Sequence, residues 1–369
     1  MAQGPRIPDR FEEISFSALA GWQGDDHRAA LDSYLRLCRK PEIFKENKVQ
    51  PRLSPEALQL LCRKAEEEAG KGVAEARRFF EKQFRPYRVA QKGFVTGYFE
   101  PELSASRFRT SEFPVPLHTK PEGLEPVTDD NRPEDWPAGL SHGRRVGGKL
   151  TEMPDRGAIM DGALDHEQLE LVWLANPVDA FFVHVQGSAR LRFADGSAMR
   201  VGYAGKTGHP YTGIARLLVT RGEGTPEDFT MTGLRTWLAA HPDQVEPLLK
   251  ENRSYIFFRK VEEISPDEGP LGAAGLPLTA GRSLAVDPTF LPYGALIFVA
   301  SELDDPDSTN ETFARLMVAD DTGSAIKGPA RGDIFTGSGA DAGALAGEIR
   351  HAADFTVLVP EGAINEAVD

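Results

Sequence analysis

Residues 315–343 read RLMVADDTGSAIKGPARGDIFTGSGADAG. The uncharged run Leu316-Met317-Val318-Ala319 is of the kind that marks a strand buried on both faces. It delivers Asp320 and Asp321 to a segment punctuated by glycines, and Asp333 follows twelve residues after Asp321. A second apolar pair, Ile334-Phe335, comes next, then Gly337, Ser338 and Gly339. Carboxylates at strand ends among glycines suit an active site, because glycine lets a ligand approach the backbone closely. The same residues are also ordinary turn chemistry. The stretch alone leaves both readings open.

Working outward, the last hundred residues read mostly as short strands: SLAV (283–286), ALIFVA (295–300), RLMVA (315–319) and FTVLV (355–359). Short strands separated by Gly/Pro turns predict a small barrel or sandwich, and a C-terminal β-barrel is expected. The acidic, then Gly- and Pro-rich stretch EEISPDEGPLGAAGLP precedes it as a boundary. Upstream lies a mixed, β-rich block. Its strands are expected at GFVTGYFEP (93–101), LVWLA (171–175), AFFVHVQG (180–187) and SYIFFR (254–259). ARLRF and AMRVGY flank Asp195-Gly196, a hairpin turn signal. Helices are expected in PYTGIARLLVTRG, in a segment started by Thr225-Pro226-Glu227, and around Asp243–Glu251. The Pro-rich stretch SEFPVPLHTKPEGLEPVTDDNRPEDWPAG holds too many prolines for a helix or a central strand.

The first hundred residues read as mainly helical. Leu31, Tyr34, Leu35 and Cys38 share one helical face, as do Leu58, Leu61, Cys62 and Ala65. Ser54 and Pro55 supply an N-cap and a first helical residue for the second helix. Both cysteines thus face the core, and buried free thiols are the expectation. An exported protein could join them instead, given suitable Cα geometry. With no CxxC or paired-His spacing they do not form a metal site.

At 369 residues the chain exceeds the usual single-core range, so two domains are expected. Its formal charge of −14, from 56 acidic and 42 basic residues, argues against general nucleic-acid binding. No run of 18 apolar residues offers a transmembrane helix. MAQGPRIPDRFEE lacks an apolar signal core, implying a cytoplasmic chain or a mature exported one. Gly205-Lys206-Thr207 is not a phosphate loop, because Arg200 stands where such a loop has glycine. The eight histidines are scattered, and neither a metal nor a cofactor is expected. Asn252-Arg253-Ser254 and Asn310-Glu311-Thr312 match a glycosylation sequon that means little without a secretory context. Asp321-Thr322-Gly323 also occurs in aspartic proteases, whose chemistry needs two carboxylates about 3 Å apart. This chain has one such tripeptide, so that reading stays a minor alternative.

Together, VTGYFEP (95–101), FFVHVQGSARLRFADGS (181–197), YAGKTGHPYTGIARLLVTRGE (203–223), NRSYIFFR (252–259), PLTAGRSLAVDPTFLPYGALIFVA (277–300) and RLMVADDTGSAIKGPARGDIFTGSG (315–339) resemble the membrane-bound lytic murein transglycosylase A (MltA) family with its C-terminal 3D domain. The resemblance covers about three-quarters of the chain. It implies a mainly β protein with N-terminal helices and two domains with a groove between them. One is a double-psi β-barrel built from residues 1–104 and 263–369; the other is a β-rich domain, residues 105–262, inserted into it.

The resemblance further implies a carbon–oxygen lyase that cleaves the β-1,4 bond between N-acetylmuramic acid and N-acetylglucosamine in peptidoglycan. The muramoyl C6 hydroxyl attacks its own C1, leaving a 1,6-anhydro end. Such an intramolecular attack needs no second carboxylate to serve as nucleophile or to activate water. The family pattern assigns the acid–base role to Asp333 and a supporting role to Asp321. Tyr98, Glu100, Gln186, Tyr203, Lys206, His209 and Lys327 lie in matching motifs as expected substrate-binding residues. Peptidoglycan strands are the implied partner and the periplasm the implied location. The lipid-anchored members sit at the outer membrane through an N-terminal Cys, which this chain does not carry. A non-catalytic, expansin-like glycan-binding barrel is the alternative.

Overall fold

The structure is a computed structural model describing residues 11–44, 55–137, 139–262, 264–265, 268–304 and 312–361. Ser54, the expected cap, and Asn310 and Glu311 of the second sequon lie outside the described residues. The chain divides into two compact units. One comprises Met1–Tyr98, Pro266–Gly337 and Glu348–Asp369; the other comprises Phe99–Ser265 and Ser338–Gly347.

The first unit is built around eight strands: Phe11–Glu13 (β1), Phe84–Val89 (β2), Gly93–Glu100 (β3), Ser283–Ala285 (β4), Leu296–Asp304 (β5), Thr312–Asp321 (β6), Arg331–Ser338 (β7) and Arg350–Pro360 (β8). They hydrogen-bond in the order β1-β2-β8-β5-β6-β4-β7-β3. β3 also pairs antiparallel with β8, from Thr96↔Arg350 to Gly93↔Ala353. The strands from β8 round to β3 therefore close on themselves, leaving no free edge within that ring. The expected C-terminal barrel is thus completed by a strand that lies some 180 residues upstream of β4 in the sequence.

Each face of β6 has its own core, which explains its uncharged run. Ala314, Leu316 and Val318 pack with Trp22, Leu31, Tyr34, Leu37 and Phe80 of the N-terminal segment. Phe313, Met317 and Ala319 pack inside the ring with Val95, Leu284, Ile297 and Phe355. Among the described residues the N-terminal layer has three α-helices, His27–Cys38, Pro55–Glu68 and Val73–Gln83. Asp26 caps the first by accepting from the amides of Arg28 and Ala29. A buried ion pair, Asp25 to Arg282 at 2.9 Å, ties this layer to the ring; Asp25 also accepts the Leu316 amide at 2.7 Å.

Cys38 and Cys62 form a disulfide with Cα atoms 5.5 Å apart, correcting the expectation of free thiols. Helical periodicity places each cysteine on a core face but cannot bring two helices together. The bridge closes a loop with a sequence separation of 24. A loop of that size stabilises by about 3 kcal/mol, chiefly by restricting the unfolded chain. Cys38→Ser/Cys62→Ser should lower unfolding stability by about that amount in denaturant titrations, and added reductant should then have no further effect.

The second unit has a six-stranded sheet in the order Ile256–Val261, Ala198–Lys206, Ser188–Arg192, Glu102–Ser106, Glu170–Leu174, Val115–His118. A three-stranded sheet, Leu124–Pro126, His142–Val146 and Lys149–Thr151, accompanies it. The hairpin at Asp195-Gly196 forms as expected, with Gly196 at φ 80°. Two expectations are corrected. Residues 180–187 are not a strand: Pro177–Gln186 is a helix, capped by Asn176 through the Asp179 amide and ended by Gly187 in the left-handed region. Ala180 and Val183 pack on the sheet while Phe181 and Phe182 pack among helices, so apolar residues run consecutively and obscure the amphipathic period. The helix expected from Thr225 begins instead at Met231, capped by Thr230. Thr225 is held in a turn, where its amide and hydroxyl donate to Asp228. Among the described residues no helix is long and apolar enough to cross a membrane.

Candidate functional site

The pairing of β4 decides which carboxylates come together. Ala285 pairs with Asp321 of β6 on one side and with Asp333 of β7 on the other. The two aspartates therefore lie on one rung, roughly 10 Å apart at Cα by the strand spacing, and point to one face. A register shift opposite Leu284 and Ala285 is what selects Asp321. Without that bulge Asp320 would take the place on the rung. Asp320 instead turns into the core, where its carboxyl accepts from the Ser283 hydroxyl at 2.6 Å. Burial, reinforced by the charge of Asp321 and opposed by the Ser283 hydrogen bond, pushes it well above the carboxylate range.

β3 supplies the other wall. Its burial alternates, with Val95 fully enclosed and Phe94, Thr96 and Tyr98 at the surface or half-buried. The Tyr98 hydroxyl donates to Asp321 Oδ2 at 2.7 Å, and the Ala273 amide donates to Oδ1 at 2.9 Å. Tyr98 also packs its ring on Phe335, centroids 5.3 Å apart. Burial raises the Asp321 carboxyl, while these donors work against the rise. Both oxygens of Asp321 are thereby engaged.

Asp333 is held differently. The Thr96 hydroxyl donates to its Oδ1 at 2.5 Å, and Arg331 Nη2 donates to the same threonine oxygen at 2.7 Å. Burial pushes the Asp333 carboxyl up to about 6; Thr96 and Arg331 oppose the shift and Asp321 adds to it. A carboxyl tuned to that range can carry a proton near neutrality and also take one back.

Tyr98, Asp321 and Asp333, all expected at the site, thus meet in the first unit. Lys327 is exposed and is no part of this cluster. Its charge acts on Asp287, which the Gly328 amide, Thr289 and Lys327 hold below the usual range although burial works the other way. The cation beside Asp333 is Arg331.

The remaining expected residues lie in the second unit. Glu100 is fully buried, paired with Arg190 Nε at 2.8 Å and Arg200 Nε at 2.8 Å, and accepts from Ser338 at 2.7 Å. A sugar could reach it only by breaking that cluster. His209 is buried too, its Nε2–H donating to the Met153 carbonyl at 2.8 Å. Gln186 accepts the Phe99 amide at 3.0 Å. Lys206 is half-buried and, after burial itself, is the main influence holding His142 down at about 4. Tyr203 is exposed at 49% beside a bulge in its strand. Among the described residues no three His, Cys, Asp or Glu side chains are grouped to hold a metal ion.

Thr96 and Arg331 were not expected. A signal for both exists in the sequence. Thr96 and Tyr98 alternate around a glycine on one strand, and Arg331 stands two residues before Asp333, so each lies on the same face as an expected residue.

A family model described as the MltA specific insert domain matches residues 94–259, and one described as the 3D domain matches residues 282–359. A crystal structure of membrane-bound lytic murein transglycosylase from Agrobacterium tumefaciens is 40% identical, with 97% of this chain and 99% of that chain covered and a TM-score of 0.87. The crystal structure of MltA from Neisseria gonorrhoeae in its monoclinic form is 29% identical over 98% and 96% of the two chains, with a TM-score of 0.76. Membrane-bound lytic murein transglycosylase A of Escherichia coli strain K12 is 34% identical over 260 residues, 69% of this chain and 62% of the relative. The chain thus spans somewhat less than two thirds of that relative's length.

Proposed function

Because the chain belongs to the membrane-bound lytic murein transglycosylase A family, we propose that it is a peptidoglycan lytic transglycosylase with Asp333 as its single acid–base group. The observation that carries the assignment is the contrast between two neighbouring carboxyls. Asp321 has both oxygens occupied by Tyr98 and Ala273, whereas at Asp333 the Thr96 hydroxyl falls on Oδ1 and the carboxyl is raised to about 6.

In the reaction, the proton on Asp333 passes to the glycosidic oxygen as the bond from C1 to that oxygen breaks. The muramoyl C6 oxygen then bonds to C1, and its proton returns to Asp333. The residue ends as it began, no water is consumed, and the product carries a 1,6-anhydro ring. The attacking hydroxyl is already tethered to the reacting sugar, which replaces the second carboxylate of a hydrolase. Asp321, oriented by Tyr98, supports the acid through its charge.

The closed ring of the first unit is read as a double-psi β-barrel, with residues 105–262 as the inserted domain. Tyr203 offers an exposed ring suited to a pyranose face, and Lys206, Gln186 and Lys327 are carried as further sugar contacts. The disulfide favours an oxidising compartment, consistent with the periplasm, where peptidoglycan is the partner.

Mass spectrometry of digested peptidoglycan sacculi tests the activity. Anhydro-muropeptides are the expected products. Reducing-end sugars would make the protein a hydrolase, intact glycan a binding module, and cut peptide bonds a protease.

A further inference from the structure

We propose that Arg331 is a positioning residue for Asp333, acting through the Thr96 hydroxyl to dictate which carboxyl oxygen bears the transferable proton. The proposal rests on the acid–base reading of Asp333. Its physical basis is donor–acceptor bookkeeping. A guanidinium is donor-only, so the Thr96 oxygen, 2.7 Å from Arg331 Nη2, must accept there. The threonine proton is thereby directed to its other neighbour, Asp333 Oδ1, at 2.5 Å. Oδ1 is then an acceptor whether or not the acid is protonated. The mobile proton rides on Oδ2, the oxygen that Thr96 does not occupy.

Arg331 is itself fixed. Its Nη1 donates to the Gly332 carbonyl, and its guanidinium lies over the Phe94 ring, 5.7 Å from the centroid. Phe94, Thr96 and Tyr98 occupy alternate positions of β3, and Arg331 and Asp333 alternate positions of β7, so the chain of donors runs along a single face. Without Arg331 the Thr96 hydroxyl is free to rotate and accept a proton from Oδ1 instead. The acid would then be protonated on the wrong oxygen part of the time.

Arg331 has a second effect through its charge. The groups facing Asp333 are Thr96 and Tyr98 on β3, Asp321 on β6 and Arg331 on its own strand, with Arg350 on β8 paired across from Thr96. Of the charges acting on Asp333, Asp321 favours the protonated form and Arg331 the ionised one. Loss of Arg331 should therefore move the alkaline limb of the rate profile to higher pH.

The test measures kcat and KM for anhydro-muropeptide release from purified glycan strands. Wild type, Arg331→Met, Arg331→Lys, Thr96→Val, Thr96→Ser, the Arg331→Met/Thr96→Val double variant and Asp333→Asn are compared. At pH about 5, where the acid is mostly protonated in every active variant, Arg331→Met and Thr96→Val should each lower kcat roughly tenfold with KM nearly unchanged. The double variant should be no more than about twofold worse than either single one, since both remove one relay. Arg331→Lys and Thr96→Ser keep the donor and the hydroxyl and should retain most of kcat. The Thr96 pair decides the matter if Arg331→Met does not fold. Multiplicative losses in the double variant, a raised KM at unchanged kcat, or wild-type kcat in both single variants would overturn the proposal. If Asp333→Asn is inactive in the same assay, those outcomes overturn this proposal alone; an active Asp333→Asn overturns the acid–base reading beneath it.

Discussion

Asp333→Asn should abolish anhydro-muropeptide formation while leaving glycan binding and the fold intact. The amide is nearly isosteric and can still accept from Thr96, but it cannot give a proton to the leaving oxygen or take one from the C6 hydroxyl. General acid–base catalysis contributes about 10²–10⁴-fold, and here one group serves both steps, so the loss should fall at the top of that range or beyond it. A folded variant that releases anhydro products at near wild-type rate would end the assignment, because Asn is an equally good turn residue. The wild-type rate should fall as pH rises through about 6, where Asp333 loses the proton it must donate.

The same shift has a stability signature. The folded carboxyl titrates above its ordinary 3.8, so its favourable contribution is fully present below that value and is lost as pH rises through about 6. Asp333→Asn lacks this liability. It should be more stable than wild type at pH 8, by roughly 1–3 kcal/mol, with the gain vanishing below about pH 4. Chemical denaturation at the two pH values measures the difference.

Glu100→Ala should have the largest effect on stability. Its carboxylate is wholly enclosed and answers two arginines, of which Arg200 has only 8% of its side chain exposed. Removing one member of a buried ion cluster strips the others of one counter-charge, a cost of about 3–5 kcal/mol. Glu100→Gln keeps the volume and a hydrogen-bond acceptor for Ser338 but not the charge, so most of the loss should remain. Urea midpoints for both variants check this. A sugar-binding Glu100 would behave in the opposite manner, raising KM in the Gln variant with the midpoint unmoved.

The legible parts of this chain were those in which local pattern and burial agree. β6 is doubly buried and reads as an uncharged run; the Asp195-Gly196 hairpin and the first two N-terminal helices carry their own turn or periodicity signals. The helix at Pro177–Gln186 was lost because its buried residues run consecutively from Ala180 to His184, which obscures the amphipathic period. Its Asn-Pro start and Gly stop were nevertheless present in the sequence.

Sequence by itself nominated the residues proposed to carry the chemistry: an aspartate at the end of a buried strand, another on the strand that follows, and a tyrosine in a motif more than two hundred residues away. The family pattern pointed to Asp321, but strand alternation alone could not choose between it and the adjacent Asp320, since consecutive strand residues face opposite ways and a bulge reverses the choice. Nor could it distinguish the exposed motif residue Tyr203 from the enclosed Glu100, because burial depends on what the rest of the chain brings against each one. The disulfide, the closure of β3 onto β8 and the Arg331–Thr96–Asp333 relay all join segments distant in the chain. Only tertiary structure decided them, because a hydrogen bond or a bridge needs atoms within a few ångströms, and spacing along the sequence carries no such distance.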